Sequence, residues 1–193
     1  MGYKVAVGIS NKHVHVSEVD LTALFGAGHK LTVKKELKQP GQYAAEEVVD
    51  VVGPKGTLKS IRILGPTRKE TQVELAQTDA RGIGLNLPVR ESGQLDGTPG
   101  MKLVGPAGEV VLSKGGIIAL RHIHLSPAQA AEAGVKDKDW VTVRAAGTRP
   151  VIFEEVLIRA VEGFINEMHV DTDEGNAAGI GNGDMMEIVG KKQ

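Results

Sequence analysis

Five of the six histidines in this chain fall in three short clusters. The clusters are His13-Val14-His15, His122-Ile123-His124 and Glu167-Met168-His169. On a β-strand, residues i and i+2 point to the same face, so each His-x-His pair can aim two imidazoles at one point. Neutral imidazole is the commonest metal-binding side chain, and the chain has no cysteine to act as a softer ligand. The spacing therefore indicates a metal site for Zn²⁺, Co²⁺, Mn²⁺ or Fe²⁺.

The number of imidazoles favours two ions over one. A catalytic Zn²⁺ usually takes three protein ligands and keeps one position open, which four or five imidazoles exceed. Spacing leaves the carboxylate ligand open, and the candidates are Glu18, Glu74, Glu167 and Asp171. Strand alternation would place Glu167 and Asp171 on the face of His169, where they either orient its ring or are solvated. Chance clustering of histidines is the competing interpretation, which two pairs of the same form disfavour.

The segments around these residues have the pattern of a β-rich protein. The chain has 25 glycines, and Gly-Pro turns at residues 53–54, 65–66 and 105–106 separate short Val/Ile/Leu runs. The pattern predicts strands at residues 4–9, 30–37, 47–52, 60–64, 72–76, 102–104, 109–112, 140–144, 151–158 and 185–189. This spacing is typical of β-barrels with few helices.

Two predicted helices each follow a His-x-His pair. Ser17 can cap a helix over residues 18–25 that Gly26 ends. Ser126 can cap a second helix, with Pro127 in its first position and Gly134 at its end. The shared order of His-x-His-x-Ser, helix, glycine and Val/Thr strand is a weak internal repeat.

A second echo links the segment 133–139 to the segment 178–184. Each contains Ala-Gly followed by Val or Ile and then an aspartate, Asp139 or Asp184. The echoes suggest two related barrel units, although turn chemistry alone can also produce them.

Composition excludes several classes of partner. The net charge of −1 and the aromatic content of 3% argue against nucleic-acid binding, which requires a basic face and stacking rings. No apolar run approaches the roughly 20 residues of a membrane span, and the first residues do not resemble a secretory signal. The absence of cysteine rules out a disulfide framework and fits a cytosolic enzyme. With 193 residues, 41% of them hydrophobic, the chain can form one domain or two small ones.

Several cations are candidates for binding an anion. Arg62 and Arg68 flank the Gly65-Pro66 turn, and Lys34 and Lys35 are adjacent on a predicted strand. Arginine suits bidentate contact with phosphate, although most arginines in such a chain are solvated.

These motifs, taken together, resemble those of a known family. The matching strings are VGISNKHVHVS (7–17), QPGQYA (39–44), GPKG (53–56), IRILGPTR (61–68), TQVE (71–74), PVR (88–90), RHIH (121–124) and EMHVDTDE (167–174). They resemble the PduL-type phosphate propanoyltransferases, in the same order and over most of the chain. The family is associated with propanediol degradation and bacterial microcompartments.

The resemblance implies a phosphotransacylase that converts acyl-CoA and phosphate into acyl phosphate and CoA, reversibly, with propanoyl or acetyl as the acyl group. It also implies a mainly β fold of two intertwined antiparallel β-barrels capped by short α-helices, with a two-zinc site in the cleft between them. One barrel would take residues 2–11 and 120–189. The other would take residues 12–25 and 47–119, with 26–46 as a two-stranded excursion.

The resemblance also assigns roles to individual residues. His13, His15 and Glu74 would hold one metal, whose fourth position can take the CoA sulfur. His122, His124 and His169 would hold the second, completed by water or phosphate. Arg68 matches the phosphate-binding and catalytic arginine. The positions that match the CoA pocket are Ser10, Lys35, Arg62, Leu64, His169 and Asn176.

This implied chemistry needs no covalent enzyme intermediate. Phosphate becomes an effective nucleophile once it is oriented and its charge is partly neutralised, which a metal and Arg68 can do. We therefore expect direct transfer, without an acylated serine or cysteine.

Two other classes of protein share parts of the pattern. A cupin-type enzyme uses one His-x-His with a later glutamate and histidine, and would hold one metal per chain. A metal-stabilised binding module without catalytic activity is the other alternative.

The resemblance also bears on location and assembly. Some family members carry an N-terminal extension that directs them into a microcompartment. Here a strand is predicted within four residues of Met1, so we expect that address to be absent and the protein to be cytoplasmic. A homodimer is compatible with the sequence.

Overall fold

The computed structural model describes residues 2–192, and these residues form fifteen strands and four short helices. The strands are β1 Tyr3–Ser10, β2 His13–His15, β3 Val33–Glu36, β4 Tyr43–Val52, β5 Thr57–Gly65, β6 Gln72–Glu74, β7 Val89–Arg90, β8 Lys102–Val104, β9 Glu109–Val111, β10 Gly116–Ala119, β11 His122–Leu125, β12 Trp140–Ala145, β13 Val151–Ala160, β14 Glu167–Asp171 and β15 Met185–Lys191. The helices are α1 Glu18–Phe25, α2 Gln77–Gly82, α3 Pro127–Ala133 and α4 Thr172–Ala178. With 43% strand and 15% helix, the predicted mainly β class is confirmed.

The chain divides into two compact units. The central unit is Lys12–Ala119, and the terminal unit consists of the segments that end at Asn11 and begin at Leu120. The chain therefore leaves the terminal unit after β1 and returns to it at β11. Each of these crossings comes directly before a His-x-His pair.

The strands of the terminal unit form a closed barrel in the order β1-β14-β11-β13-β12-β15. Four of its neighbouring pairs are antiparallel, as expected, but β1 with β14 and β11 with β13 are parallel. A parallel pair requires a crossover of about a dozen residues or more, and α3 and β12 supply it between β11 and β13. The alternation of apolar residues does not encode strand direction, so the sequence pattern could not predict these two parallel pairs.

Alternating side chains of these strands fill the barrel. Val5 and Val7 of β1 are buried, as are Val141 and Val143 of β12, while the residues between them are more exposed. This period-two pattern gives each strand one apolar face. The barrel core also contains Ile123, Leu125, Val156, Ile158, Met168, Val170, Met186 and Ile188.

The strands of the central unit form a half-barrel with open edges, in the order β7-β10-β6-β2-β5-β4-β8-β9. The additional strand β3 pairs with the start of β4, so residues 33–45 form a two-stranded hairpin on this sheet. The strand β2 lies between β5 and β6, parallel to the first and antiparallel to the second. A separate core of Val14, Val16, Leu21, Leu24, Ile61, Ile63, Val73 and Leu103 packs against this sheet.

Both predicted helices are present with the predicted caps. The Ser17 hydroxyl accepts a hydrogen bond from the Asp20 backbone at the start of α1. Ser126 and Gln129 form a reciprocal capping box at α3, where Pro127 is in the first turn and Gly134 ends the helix in the left-handed conformation. The helices α2 and α4 have only 6 and 7 residues, too few to show a clear apolar period.

The sequence echo at 133–139 and 178–184 corresponds to two similar helix ends. Gly134 and Gly179 both have left-handed backbones at the C-terminus of a helix. After them, Asp139 accepts a hydrogen bond from the Lys136 backbone, and Asp184 accepts one from the Gly181 backbone. Local turn chemistry therefore accounts for this echo.

Candidate functional site

His13, His15 and Glu74 form a compact group, which we call the first cluster. His13 and His15 project from β2, and the antiparallel neighbour β6 places Glu74 directly opposite His13. One ligand atom from each residue lies within 4.8 Å of the others. Glu74 Oε2 is 3.4 Å from His13 Nε2, and Glu74 Oε1 is 3.7 Å from His15 Nε2. All three side chains are buried.

The ring of His15 is held in one orientation by the neighbouring strand. Its Nδ1 lies 3.2 Å from the Leu64 carbonyl oxygen of β5, which identifies Nδ1 as the protonated nitrogen. Its Nε2 is then the unprotonated nitrogen, and it is the atom that faces Glu74. A backbone contact of this kind fixes the tautomer of a metal-binding histidine.

The electrostatics of the first cluster favour a neutral His15 and an ionised Glu74. Burial, together with the neighbouring His13, lowers the pKa of His15 to about 3. Burial raises the pKa of Glu74, but His13, His15 and Arg68 outweigh it and hold that pKa well below its usual range. A neutral imidazole and a carboxylate are donors that suit a divalent cation.

His122, His124 and His169 form the second cluster. The first two project from β11, and the antiparallel strand β14 places His169 directly opposite His122. Their ring centroids are separated by 4.7 Å, 4.9 Å and 5.1 Å, and a ligand atom of each lies within 4.8 Å of the others. Three nitrogen donors therefore converge without a carboxylate ligand.

His124 is the most unusual member of this cluster. Its side chain is buried against the ring of Phe164, with centroids 4.3 Å apart. Within residues 2–192, neither its Nδ1 nor its Nε2 has a hydrogen-bond partner. Buried polar atoms are nearly always satisfied, and a neutral imidazole has one unprotonated nitrogen, so one nitrogen of His124 is available to a metal ion. Burial, followed by His122, His169 and Arg159, lowers the pKa of His124 and keeps its ring neutral.

The other two rings of the second cluster have orienting partners. His122 Nδ1 lies 2.8 Å from the Leu120 carbonyl oxygen, and His169 Nε2 lies 2.8 Å from Glu167 Oε2. Glu167 is thus placed to orient His169, which is one of the alternatives that strand alternation left open. The three imidazoles, with one nitrogen from each within 4.8 Å of the others, fit a metal ion.

The remaining candidate acids have other partners. Asp171 caps α4 by accepting a hydrogen bond from the Glu174 backbone. Glu18 accepts a hydrogen bond from the Thr67 hydroxyl. Of the four carboxylates that the sequence left open, Glu74 is therefore the one in a ligand cluster.

Arg68 lies in the loop between β5 and β6. Its backbone nitrogen donates to the Val16 carbonyl oxygen at 2.8 Å, and its Nη1 donates to the Ser92 hydroxyl at 3.0 Å. Ser92 in turn donates to Glu74 Oε1, so Arg68 lies beside the first cluster, where its charge lowers the pKa values of His15 and Glu74. Ser92 and the buried Gln72, which also contacts Glu74, were not singled out by the sequence, because single polar residues carry no recognisable spacing.

The residues that match a CoA pocket are distributed over both units. In the central unit, Lys35 lies on the exposed strand β3, and Arg62 Nη1 donates to the carbonyl oxygens of Ala45 and Glu46 at 2.9 Å and 2.7 Å. The neighbouring Lys34 forms an ion pair with Glu46. Leu64 contributes the carbonyl that orients His15.

In the terminal unit, Ser10 ends β1, and Asn176 lies in α4. The carbonyl oxygen of Asn176 accepts hydrogen bonds from the Gly179 backbone and from Arg149. The roles of these residues in CoA binding stay predictions. Among the described residues, no helix is both long and apolar enough to cross a membrane.

The fold and the two clusters define a mainly β protein with two candidate metal centres. Comparison with known proteins identifies the family. The phosphate propanoyltransferase family model matches residues 6–181. The chain belongs to this family, and it is therefore an acyltransferase.

Curated relatives agree over nearly the whole chain. A phosphate propanoyltransferase of Thermotoga maritima is 56% identical over 96% of this chain and 89% of the relative. One from Rhodopseudomonas palustris is 48% identical over 98% of this chain and 84% of the relative. One from Salmonella typhimurium is 50% identical over 92% of this chain and 85% of the relative. The family resemblance in the sequence is thereby confirmed.

Proposed function

We propose that this chain is a phosphotransacylase that interconverts acyl-CoA plus phosphate with acyl phosphate plus CoA. Propanoyl is the first expected acyl group because the relatives carry it in their names, and acetyl is the second. The observation that carries the proposal is the presence of two compact donor clusters in a member of this family.

Each cluster is proposed to hold one divalent ion, with Zn²⁺ as the first choice and Co²⁺, Mn²⁺ or Fe²⁺ as substitutes. His13, His15 and Glu74 would hold one, and His122, His124 and His169 the other. Zn²⁺ would act as a Lewis acid that stabilises the negative charge of the phosphate and of the departing thiolate. The support is the neutral His15, the ionised Glu74 and the nitrogens of His124, which have no hydrogen-bond partner within residues 2–192.

Arg68 is proposed to bind and orient the phosphate. A guanidinium stays charged at every relevant pH, and its planar donors match phosphate oxygens. The bonds to Ser92 and Val16 hold this residue next to the first cluster. Lys35, Arg62, Leu64, Ser10, Asn176 and His169 are the residues proposed to contact CoA.

The proposed reaction is a direct displacement. A phosphate oxygen forms a bond to the thioester carbonyl carbon, the carbon–sulfur bond breaks, and CoA leaves as a thiolate. The chain has no cysteine to form an acyl-enzyme. The Ser92 oxygen, beside Glu74, accepts hydrogen bonds from both Arg68 and Gln72, so its lone pairs are already engaged.

Thiol release tests the activity. Acetyl-, propanoyl- and butanoyl-CoA are each incubated with phosphate and protein, with and without a chelator. We expect phosphate-dependent release that is fastest with propanoyl- or acetyl-CoA and is lost with the chelator. Release that does not depend on phosphate would contradict the proposal.

A second measurement tests direct transfer. The protein is incubated with propanoyl-CoA in the absence of phosphate, and its intact mass is measured. We expect an unchanged mass, whereas a propanoylated protein that phosphate then discharges would establish a covalent route.

A further inference from the structure

Gln72 is a fully buried amide two residues from Glu74 on β6. Its side chain is 1% exposed, and its backbone pairs with His15 of β2. Its Oε1 accepts a hydrogen bond from the Gly93 backbone at 2.8 Å. Because that backbone group can only donate, the orientation of the amide is determined. The Nε2 group therefore faces Glu74 and Ser92.

The amide donates in two directions. Gln72 Nε2 donates to Glu74 Oε1 and, at 2.8 Å, to Ser92 Oγ. With the bond from Gly93, the amide uses both donor hydrogens and its oxygen. A buried polar group that is satisfied in this way has one low-energy orientation.

Ser92 extends the network from Glu74 to Arg68. Its oxygen accepts from Gln72 Nε2 and from Arg68 Nη1. A hydroxyl has one proton to donate, and Glu74 Oε1, 3.2 Å away, is the acceptor that remains. Hydrogen bonds therefore connect the arginine to the carboxylate through a single side chain.

These contacts make the two oxygens of Glu74 unequal. Oε1 accepts hydrogen bonds from Gln72 and Ser92 and lies 3.7 Å from His15 Nε2, whereas Oε2 lies closer to a ligand nitrogen, 3.4 Å from His13 Nε2. We propose that Gln72 is a positioning residue that, with Ser92, turns Glu74 so that Oε2 is its single metal-binding oxygen and fixes Arg68 relative to it. The inference rests on the proposed metal-dependent function.

Changing Gln72 should alter Zn²⁺ affinity at the first cluster and leave it unchanged at the second. Replacing a residue that orients a metal ligand typically lowers metal affinity by about 10–100-fold. We expect Gln72→Met, which keeps the length of the side chain but removes its donors, to weaken Zn²⁺ binding at the first cluster by that factor. Gln72→Glu keeps the acceptor for Gly93 and replaces the donors with a second carboxylate oxygen that repels Glu74, so it should also displace Glu74 and weaken Zn²⁺ binding.

The affinity of each cluster can be measured separately in the full-length chain. A His124→Ala background retains the first cluster, and a Glu74→Ala background retains the second. Zn²⁺ affinity is measured in both backgrounds by competition with a chromophoric chelator, with and without the change at Gln72. Gln94→Met is the matched control, because Gln94 is exposed on the loop next to Ser92.

The expected result is a selective loss. Gln72→Met and Gln72→Glu weaken Zn²⁺ binding in the His124→Ala background, have no effect in the Glu74→Ala background, and raise the KM for phosphate in the otherwise unchanged enzyme. Gln94→Met changes none of these quantities. Weaker Zn²⁺ binding in both backgrounds would indicate a general folding defect and would overturn the selective positioning role.

Two failures can be told apart. If the unaltered chain does not bind two equivalents of Zn²⁺, the proposed function fails. If it binds two equivalents and both Gln72 variants retain the affinity of the first cluster and the KM for phosphate, the positioning role of Gln72 is overturned.

Discussion

The two clusters begin with the same motif and end with different electrostatics. In both, a His-x-His strand pairs with an antiparallel neighbour, but that neighbour contributes Glu74 to the first cluster and His169 to the second. A divalent ion held by three neutral imidazoles keeps its whole charge, whereas a carboxylate ligand reduces it by one unit. The partner strand therefore decides how strongly each site would attract an anion.

The clusters also differ in the hydrogen-bond partners that their ligand side chains have without a metal. Glu74 accepts hydrogen bonds from Gln72 and Ser92 and faces both histidines of its cluster. His124 is buried with two nitrogens that lack partners among the described residues. The first cluster is thus preorganised by neighbouring side chains, whereas the second contains a buried imidazole whose unprotonated nitrogen a metal could bind.

Ligand removal should have the largest effect. We expect Glu74→Ala and His122→Ala each to lower kcat/KM by about 100-fold or more, equivalent to about 3 kcal/mol of transition-state stabilisation. The family resemblance implies that the first cluster faces the CoA sulfur and the second faces phosphate; if so, Glu74→Ala weakens CoA binding and His122→Ala weakens phosphate binding. Steady-state kinetics and inhibition by CoA measure both effects.

His29→Ala is the control for these variants, because His29 lies outside both clusters and pairs with Glu47. It should retain activity. Equal effects of Glu74→Ala and His122→Ala on both substrates would contradict the assignment of CoA to the first cluster and phosphate to the second.

Arg68 should matter mainly for phosphate. Arg68→Ala is expected to raise the KM for phosphate by about 10–100-fold, since it removes a charge-assisted donor, and Arg68→Lys should recover part of that loss. Arg81→Ala, at an exposed position of α2, is the control. An unchanged KM for phosphate in Arg68→Ala would mean that the phosphate is bound elsewhere.

Acid should destabilise the metal-free protein through its buried histidines. Burial lowers the pKa of His15 to about 3 and also lowers that of His124, while an unfolded histidine has a pKa near 6.5. The unfolded state then binds more protons below pH 6.5, so stability is present above that pH and is lost as the pH falls towards the folded-state pKa. Each group contributes up to about 1.4 kcal/mol per pH unit.

His124→Phe isolates the part of this acid destabilisation that comes from the second cluster. Between about pH 6.5 and 4.5, where most carboxylates stay ionised, its metal-free form should lose stability less steeply than the unaltered chain. Denaturant unfolding at a series of pH values measures the slope. Identical slopes would show that His124 titrates normally.

The smallest expected effect is on stability: Zn²⁺ should reverse which of His124→Phe and the unaltered chain is the more stable. At neutral pH, metal-free His124→Phe should be about 1 kcal/mol more stable than the unaltered chain, since it removes unsatisfied buried nitrogens. With excess Zn²⁺ the order should reverse, because only the unaltered chain gains the binding energy of the second cluster. Melting temperatures with and without Zn²⁺ provide the test, and a variant that is less stable in both conditions would argue against an unsatisfied His124.

Some of this arrangement follows from local sequence. The His-x-His pairs and the contact between Glu167 and His169 depend on strand alternation, which a sequence displays directly. Glu74 could not be selected in this way, because its place opposite His13 depends on the register of two strands far apart in the chain. Only the family resemblance identified it.

The parallel strand pairs and the roles of Gln72 and Ser92 could not be predicted from the sequence pattern. The parallel pairs of the barrel depend on which strands become neighbours, and a strand with one buried face shows the same apolar alternation in either direction. Gln72 and Ser92 acquire their importance from contacts with Glu74 and Arg68, and nothing in their spacing distinguishes them from solvated residues.

We propose that the two unlike clusters each hold one ion and that acyl transfer requires both. The most direct test is to titrate Zn²⁺ into the metal-free full-length chain while thiol release from propanoyl-CoA and bound metal are measured together. We expect no activity in the metal-free chain and full activity only as the second equivalent binds. Full activity without metal, or after a single equivalent, would contradict it.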